Sequence, residues 1–469
     1  MGAESQEEAS DPARQQPDEE RITRRAAIGR IGKIGVGVVA AAAIAGGGYY
    51  AYTTTQAPQA PTGGSIKMFS YSPLYAPDGY VSYLKSTFKI DLTSQLGSAA
   101  TLGDQIVSGG GSGWDTAIFW GAFGKPIINA NPAVLQPYDL SAVPKWTSAN
   151  LDPLFSNPQS VIGDVMGPQL QRDMWWPGKI GQSFAAMPPM YGVDSVAQNA
   201  QHIDHLLNSW GDLMDRQWKG RIAIQDIPTV ALNNFALYLV KSNQMTAPSQ
   251  IDNLQKPEID TVTNYLTPNI AAGQVKAFWA DYGTSVNLIT SGEVWAADIW
   301  NAAVFSARAA GTPTYYLVTK EGVDLWVGGE GVSAKVPSSK LPLVNEYLNS
   351  RLGGTWAYQA GLEAYQTPAW PSDEVKAAFP VEFYNWNFLG QATYQPIDSI
   401  VPGQPAYIAN ALFQPTQYKW SSASGTPSSN GNLKDRGSIK NIESNIGTLE
   451  TWEDNASYYI SSWTTVKQA

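Results

Sequence analysis

Tryptophan and tyrosine side chains give this sequence its clearest capacity for recognition chemistry. The chain of 469 residues contains 17 Trp and 23 Tyr. Four of the tryptophans fall within one stretch, Trp279–Lys335, and Trp279, Trp300 and Trp326 are the candidates among them. Aromatic faces suit sugars, cations and heterocycles, although most rings in a folded protein pack in its core. This stretch is therefore the first candidate for a ligand-binding surface.

Carboxylates close to these rings add two further kinds of chemistry. Asp281, Asp298 and Glu330 lie in the same stretch, and Asp226 precedes it. A pair of such groups could neutralise a buried ammonium, which is too costly to bury alone. A pair could equally serve as acid and base in glycoside hydrolysis. The residues alone leave both possibilities open.

Other classes of site are excluded or disfavoured. The absence of cysteine excludes disulfides, thiolate metal sites, cysteine nucleophiles and a lipid-modified cysteine anchor. His202 and His205 are the two histidines; they lack an evident third ligand, so a solvated face is favoured over a metal site. No P-loop, HExxH or GxSxG string occurs, and no cofactor or metal is expected. A net charge of −10 argues against nucleic acid as the main partner.

The stretch Trp279–Lys335 has the pattern of a strand–helix–strand unit. Its predicted strand, helix, second strand and aromatic-glycine loop are Glu293–Asn301, Ala302–Ala310, Thr314–Thr319 and Trp326–Gly331. This order is typical of an α/β sheet, in which ligands bind at the carboxyl ends of strands. Trp300 and Asn301 are therefore expected at that edge.

Similar alternation continues through the rest of the chain, which favours an α/β sheet. Strands are predicted at Ile66–Tyr71, Trp114–Trp120 and Ile222–Asp226, with extended segments about Pro188-Pro189. Helices are predicted at Tyr80–Phe88, Thr101–Ser108, Ser209–Arg221, Ala231–Val240, Pro257–Leu266, Ala271–Ala277, Ser338–Ser350 and Gly353–Leu362. The pattern weakens after Trp370, the Ser/Gly/Asn tract Ser421–Asn432 is predicted to be a loop, and the tail after it is unassigned.

The amino-terminal region has the features of an export leader. Within residues 1–52, the pair Arg24-Arg25 precedes a Gly/Ala/Val run that contains the cleavage signal Ala43-Ile44-Ala45. This arrangement resembles a twin-arginine signal. Cleavage is favoured over retention as an uncleaved anchor, and residues 53–64 form a predicted linker before the folded part. We expect a protein exported to the periplasm or the outer face of the cytoplasmic membrane.

Several short motifs, in order, resemble the extracytoplasmic solute-binding proteins of ABC importers, and the spermidine/putrescine-binding branch in particular. They are PPMYG near residue 189, SWGDL at 209, WKG at 218, SGE at 291, WN at 300, SARAAGTP at 306, KEG at 320 and YQTP at 365. The resemblance implies an α/β, type II-like periplasmic-binding-protein fold: two lobes, crossing strands at a hinge and a ligand cleft. It implies a first lobe of residues 65–188 plus 302–345 and a second of 189–301 plus 346–400. The chain would cross near Pro188-Pro189 and Trp300-Asn301, and residues 401–469 would form an extension of unassigned placement.

The same resemblance implies a ligand-binding set. It comprises Tyr71, Ser72, Tyr75, Trp120, Asp226, Trp279, Asp281, Trp300, Asn301, Trp326 and Glu330. Tyr71, Ser72 and Tyr75 match an aromatic cluster after the first strand, and Trp120 stands where the family has a serine. The family's acids are replaced by Ile227, Val230 and Gly328, so Asp226, Asp281 and Glu330 are expected as substitutes.

The function implied is that of a receptor without enzymatic activity. It would capture a small polar or cationic, polyamine-like solute and deliver it as a monomer to a membrane permease with its ATPase. A sugar- or peptide-binding receptor of the same fold is one alternative. An extracellular carbohydrate-active enzyme using the acids named above is another, and a surface interaction protein with a structural aromatic cleft is a third.

Overall fold

The computed structural model describes residues 63–97, 101–363, 365–391 and 437–469. The predicted leader, nearly all of the predicted linker and the tract Ser421–Asn432 lie outside the described residues. Within them, no helix combines the length and the apolar character that crossing a membrane requires.

The strands of the described residues are mostly short, with two long exceptions, β7 and β12. They are β1 (Gly64–Ser70), β2 (Ile90–Leu96), β3 (Thr116–Trp120), β4 (Leu135–Gln136), β5 (Tyr138–Asp139), β6 (Ser183–Phe184), β7 (Met187–Asn199), β8 (Ile222–Gln225), β9 (Val275–Trp279), β10 (Ala296–Ile299), β11 (Thr314–Tyr316), β12 (Val323–Ser333) and β13 (Ile446–Leu449).

One sheet contains all of these strands except β5 and β6. Eight of them follow the order β2-β1-β3-β12-β7-β10-β8-β9, while β4 and β13 pair with β12 and β11 pairs with β7. In the first half, β1 runs parallel to β2 and β3, and β12 returns antiparallel to β3. In the second half, β8 runs parallel to β9 and β10, and β7 returns antiparallel to β10. The sheet therefore repeats one arrangement twice, and the antiparallel ladder between β7 and β12 joins the two halves.

Helices pack on both halves of this sheet, as expected for alternating strand and helix patterns. They are α1 (Asp78–Tyr83), α2 (Leu102–Ser108), α3 (Gly121–Ile128), α4 (Pro153–Ser156), α5 (Gln159–Met174), α6 (Pro228–Lys241), α7 (Lys256–Ala271), α8 (Tyr282–Thr290), α9 (Asn301–Ala309), α10 (Leu341–Ser350), α11 (Gly354–Leu362), α12 (Asp373–Ala378), α13 (Val381–Leu389), α14 (Ile439–Glu443) and α15 (Ala456–Lys467).

The loop predicted at Trp326–Gly331 is wrong, because these residues form the middle of the buried strand β12. Pairing with β3 on one side and β7 on the other supplies hydrogen-bond partners for a backbone that sequence reasoning assigned to solvent. The glycines serve packing instead of a turn. A Cβ on Gly328 would collide with the Tyr75 hydroxyl, and a Cβ on Gly192 of β7 would collide with the Trp326 ring.

Two predicted helices also differ from the structure. The segment Ala271–Ala277 contains the end of α7 and the start of β9, because Gly273 adopts a positive φ of 79° that breaks the helix. The segment Ser209–Arg221 forms two 3₁₀ turns, at Trp210–Met214 and Arg216–Trp218. Asp215 ends the first turn and caps the second, so no continuous helix forms.

Helix α9 contacts the buried clusters of both halves. Ala303, Val304 and Ala307 pack with Trp279 in the second half, whereas Phe305 packs in the large cluster of the first half. The predicted lobe boundary between residues 301 and 302 therefore does not coincide with a gap between the hydrophobic cores of the two halves. The lobe limits inferred from the sequence stay a prediction.

The carboxyl-terminal segment, residues 437–469, packs against both halves. Its strand β13 runs parallel to the start of β12. Its helix α15 contacts α6 and α7, and Trp463 of α15 is buried among second-half residues. Ile442 of α14 is buried in the first-half cluster. The segment therefore spans the junction of the halves.

A buried ion pair links β12 to the first half. Glu330 Oε2 accepts a hydrogen bond from Arg351 Nε at 3.0 Å, and both side chains are 0% exposed. Thr116 of β3 donates to Glu330 Oε1 at 2.6 Å. Arg351 also donates to the carbonyl of Tyr75 at 2.7 Å, and its guanidinium lies 4.1 Å from the Trp356 ring centroid. The pair thus fixes the loop after β1 to the crossing strand.

Glu330→Ala should lower the free energy of unfolding by about 3–5 kcal/mol, because it leaves the Arg351 guanidinium buried without its counter-charge. Urea denaturation followed by circular dichroism measures this. Lys145→Ala is the control, since Lys145 forms a partly exposed pair with Glu374 and should lose no more than about 1 kcal/mol. Equal small losses in the two variants would contradict a structural role for Glu330.

Candidate functional site

A cavity lies between the two halves of the sheet. Its wall is mostly aromatic. The residues lining it are Tyr71, Ser72, Leu74, Tyr75, Trp120, Met190, Gln225, Tyr282, Trp300, Trp326, Tyr365 and Glu450. A concave, mostly aromatic lining with a few polar groups is typical of a small-molecule site.

The carboxyl ends of four strands position the facing walls of the cavity. Tyr71 follows β1 and Trp120 ends β3 in the first half; Gln225 ends β8 and Trp300 follows β10 in the second half. Parallel strands present their carboxyl ends at one edge of a sheet, which is where ligands bind in this class of fold. Two such edges therefore face each other across the cavity.

Tyr71 is the centre of the aromatic wall. Its ring centroid lies 4.6 Å from that of Trp120, 5.5 Å from that of Tyr75 and 6.4 Å from that of Trp300. The hydroxyls of Tyr71 and Tyr75 are hydrogen-bonded at 2.7 Å. On the opposite side, Trp326 and Tyr365 pack edge to face at 5.2 Å. These tilted rings present both faces and edges to an occupant.

Six residues of the predicted ligand-binding set line this cavity: Tyr71, Ser72, Tyr75, Trp120, Trp300 and Trp326. Contact of these residues with a ligand stays a prediction. Tyr71, Trp120 and Trp300 reach the cavity from strand ends, Ser72 and Tyr75 from the loop after β1, and Trp326 from the middle of β12. Ser72 has a structural task as well, since its side chain caps the short turn that begins at Pro73.

Two other residues of the set lie behind the wall. Trp279 is 1% exposed, packs edge to face on Trp300 at 5.0 Å, and donates from Nε1 to the carbonyl of Asp298 at 2.9 Å. Asn301 begins α9, and its side chain donates to the carbonyl of Glu363 at 3.3 Å. Both residues support the cavity without lining it.

The three predicted substitute acids are not at the cavity. Asp226 accepts hydrogen bonds from Trp463 Nε1 at 2.8 Å and from Lys467 Nζ at 2.5 Å, so it anchors α15. Asp281 caps α8 by accepting from the backbone of Thr284. Glu330 is occupied by its buried ion pair. The expectation that these acids surround the cavity is therefore wrong.

The positions at which the family has its acids are structural in this chain. Ile227 and Val230 are 6% and 1% exposed at the start of α6, where they join an apolar cluster. Gly328 lies under the Tyr75 hydroxyl. No carboxylate from these positions is available to the cavity.

The acid that does line the cavity is Glu450, which sequence reasoning missed. It follows β13 and is 4% exposed. The four-residue strand before it, Ile446–Leu449, is too short for a periodic signal to reveal. Gln225 and Met190 were also missed, although Gln225 stands at the end of a correctly predicted strand and could have been found there.

A hydrogen-bonded chain connects Trp300 with Glu450. With its amide turned to satisfy both neighbours, Gln225 accepts from Trp300 Nε1 at 3.0 Å and donates to Asp194 Oδ2 at 2.8 Å. Asp194 in turn shares a hydrogen bond with Glu450. The chain runs from the second half, through β7, to the carboxyl-terminal segment.

Asp194 also belongs to a group of buried acids. It lies directly opposite Asp324 in the ladder between β7 and β12. Burial, reinforced by the charge of Asp194, raises the pKa of Asp324 well above its usual range. Burial raises the pKa of Asp298 to about 7. Among the described residues, no grouping of three or more His, Asp or Glu side chains has the geometry of a metal site.

Known proteins similar to this chain are solute-binding proteins. The chain is 28% identical over 186 residues to the spermidine/putrescine-binding periplasmic protein of Escherichia coli (strain K12), a match covering 39% of this chain and 49% of that protein. It thus spans about half the length of the curated relatives it matches. No protein-family model matches the chain.

Solved structures give wider coverage at lower identity. The spermidine/putrescine ABC transporter substrate-binding protein PotD from Streptococcus pneumoniae aligns with a TM-score of 0.56 and 13% identity, over 86% of this chain and 98% of that one. The TpPotD lipoprotein of Treponema pallidum aligns with a TM-score of 0.56 and 13% identity, over 87% and 100%. These similarities confirm the predicted α/β periplasmic-binding-protein fold and the predicted resemblance.

Asp298→Asn should reduce the pH dependence of stability. A carboxyl whose pKa rises from 3.8 to about 7 on folding stabilises the fold fully below pH 3.8, and this contribution is lost as pH rises toward 7. Between pH 5 and 7 the variant should therefore lack a slope of about 1.4 kcal/mol per pH unit. Urea denaturation at several pH values measures the slope, with Asp281→Asn as an exposed control. A slope equal to that of the unchanged protein would contradict the assignment.

Proposed function

We propose that this protein is an extracytoplasmic receptor of an ABC importer that captures a polyamine-like organic cation and presents it to a membrane permease. The observation that carries the proposal is the cavity wall: aromatic rings, one carboxylate and, among the described residues that line it, no Lys, Arg or His. The similarity to spermidine/putrescine-binding proteins supports the same solute class.

The chemistry of this wall favours a cation with apolar methylene groups. Ring faces attract a desolvated ammonium by about 0.5–2 kcal/mol each and pack well on alkyl chains. Tyr71, Trp120 and Trp300 provide such faces, and Glu450 provides a negative charge. An anionic solute would meet no counter-charge on this wall and would lie against a carboxylate.

Capture would follow the hinge mechanism implied by the fold. The two edges that face each other belong to different halves, and β7 and β12 join those halves. Closure about these strands would bring Tyr71 and Trp300 onto opposite sides of the solute. The permease would then recognise the closed form. Export beyond the cytoplasmic membrane and a monomeric state are part of this proposal.

A neutral sugar or peptide in the same cavity is the second candidate, and the aromatic wall alone would suit it. Glu450 argues for the cation, because an ammonium would supply the counter-charge that no other described residue lining the cavity provides to this buried acid. The alternative function of a carbohydrate-active enzyme would require a pair of carboxylates from Asp226, Asp281, Asp298 and Glu330. These acids have separate structural surroundings, so no observation favours that function, and we propose a receptor without enzymatic activity.

Isothermal calorimetry with putrescine, spermidine, glucose and a neutral tripeptide tests the solute class. We expect saturable binding of the two amines only. A bound amine at a hundredfold excess over its Kd should raise the free energy of unfolding by about 2.7 kcal/mol. Binding of the sugar or peptide in place of the amines would overturn the cation assignment. The absence of binding by all four probes would count against the receptor.

Trp300→Ala should weaken amine binding at least about tenfold, which corresponds to about 1.4 kcal/mol, because it removes one ring of the wall. Its circular dichroism spectrum should be unchanged. The matched control is Trp295→Ala: Trp295 lies in the same half, is half-buried, and stacks on His202 away from the cavity. Unchanged affinity in Trp300→Ala would show that this ring serves packing alone.

A further inference from the structure

Glu450 reaches the cavity from the carboxyl-terminal segment and not from the strand ends that supply the aromatic wall. Among the described residues that line the cavity, it is the single acidic side chain. The short sequence motifs that carry the resemblance to polyamine-binding proteins end at Pro368, so none of them includes Glu450.

Contacts on both halves of the protein hold Glu450 in place. Its backbone N–H donates to the carbonyl of Leu325 on β12 at 2.8 Å. Its own carbonyl lies so close to Gly121, at the start of α3, that a Cβ there would collide with it. Four residues later, Asp454 pairs with Lys125 of the first half at 2.9 Å and accepts from Asn253 of the second half at 3.1 Å.

The groups that face the Glu450 carboxylate are acids and phenols. Asp194 of β7 shares a hydrogen bond with it, and the charges of Asp324 on β12, Asp298 on β10 and Glu453 act on it. The hydroxyls of Tyr71 and Tyr75 stand on the cavity side and are influenced by its charge in turn. None of the charged groups acting most strongly on Glu450 is basic.

One carboxylate oxygen of Asp324, a member of this acidic group, is buried without a hydrogen-bond donor in the described part of the chain. Asp324 is 1% exposed, and its Oδ1 has no hydrogen-bond partner among the described residues. Asp324 lies opposite Asp194, the partner of Glu450. Buried carboxylates without counter-charges require either protons or a cation. The aromatic cavity beside Glu450 is the place from which a cation would arrive.

We propose that the Glu450–Asp194 pair is the ammonium-binding subsite of the cavity, and that an ammonium group of the solute replaces a proton which the pair shares when empty. In the empty state the two carboxylates hold one proton between them. In the bound state both are ionised and face one alkylammonium, and the proton passes to solvent. This inference rests on the proposed function, because it requires an amine in the cavity.

The electrostatics of the empty cavity support such an exchange. Burial, reinforced by the charges of Asp324 and Asp298, raises the pKa of Glu450 well above its usual range. A raised pKa favours retention of the shared proton while the cavity is empty. Since binding would release it, amine affinity should increase as pH rises, by up to about tenfold per pH unit where one whole proton is released.

The test is calorimetric titration of the full chain with spermidine at pH 7 in buffers of different ionisation enthalpy. The dependence of the apparent enthalpy on the buffer gives the number of protons released. We expect about one proton, and an affinity that rises between pH 5.5 and 7.5, a range in which alkylammonium groups stay charged. This measurement on the unchanged protein requires no variant to fold.

Variants then locate the proton. Glu450→Gln, which is isosteric with the protonated acid, should bind spermidine at least about tenfold more weakly at pH 7.5 and release no proton. Asp91→Asn is the control, and it should keep the proton release because the Asp91 side chain is exposed, pairs with Lys85 and lies outside the cavity wall. Gly121→Ala should weaken binding by displacing the Glu450 backbone without altering any charge.

The outcomes separate this inference from the proposed function. Two results would overturn the subsite and leave the proposed receptor function intact. One is spermidine binding without proton release; the other is a Glu450→Gln variant that binds spermidine and releases a proton as the unchanged protein does. If neither spermidine nor putrescine binds the unchanged protein, the polyamine assignment fails and the subsite fails with it. Proton release that persists in Asp91→Asn and disappears in Glu450→Gln would establish the exchange.

Discussion

The antiparallel ladder between β7 and β12 is the constraint on which the rest of the molecule depends. Each strand belongs to the ordered arrangement of one half and is paired with the other, so both halves are fixed by one set of backbone hydrogen bonds. Close packing across the ladder requires residues without side chains: Gly192 accepts the Trp326 ring, and Gly328 accepts the Tyr75 hydroxyl. The same ladder sets Asp194 opposite Asp324, an arrangement of like charges that is unfavourable unless protons or a cation intervene. The pairing of β7 with β12 therefore joins the two halves, positions Trp326 and Tyr75 of the aromatic wall, and brings Asp194 and Asp324 together.

The Glu330–Arg351 pair shows how a buried charge can serve geometry. A fully buried ion pair is weak support for stability in itself, because desolvation opposes the attraction. Here the arginine also donates to the carbonyl of Tyr75 and lies over the ring of Trp356. These bonds leave the loop after β1 little freedom, so Tyr71 and Tyr75 are held in position before any solute arrives. Preorganisation of this kind lowers the entropy lost on binding.

Sequence reasoning predicted the alternating architecture and the aromatic residues at strand ends, because both follow from local patterns. Trp300 was found because it ends a β-branched and aromatic run, whereas Tyr71 and Trp120 were found through the resemblance to the solute-binding family. The acids could not be found in this way. Asp226 and Glu330 are candidates for ligand binding by residue type and position in the sequence. Each instead forms an ion pair with a residue distant in the sequence, Lys467 and Arg351 respectively. Strand β12 was mistaken for a loop because its glycines serve ring packing, which only the tertiary neighbours reveal.

The pairing of β13 with β12 has a consequence for the order in which the protein assembles. Leu449 aligns with Leu325, so this parallel contact closes a very long loop of chain. Long-range parallel pairing is slow to form, because the entropy of loop closure is lost before its contacts are gained. Both halves can therefore collapse on their own clusters while the last strand is still unplaced. In such an intermediate the aromatic wall would already be complete and its carboxylate would be missing. The capacity to bind would then appear as one of the final events of folding, and a chain halted before that step would be compact but unable to hold its solute.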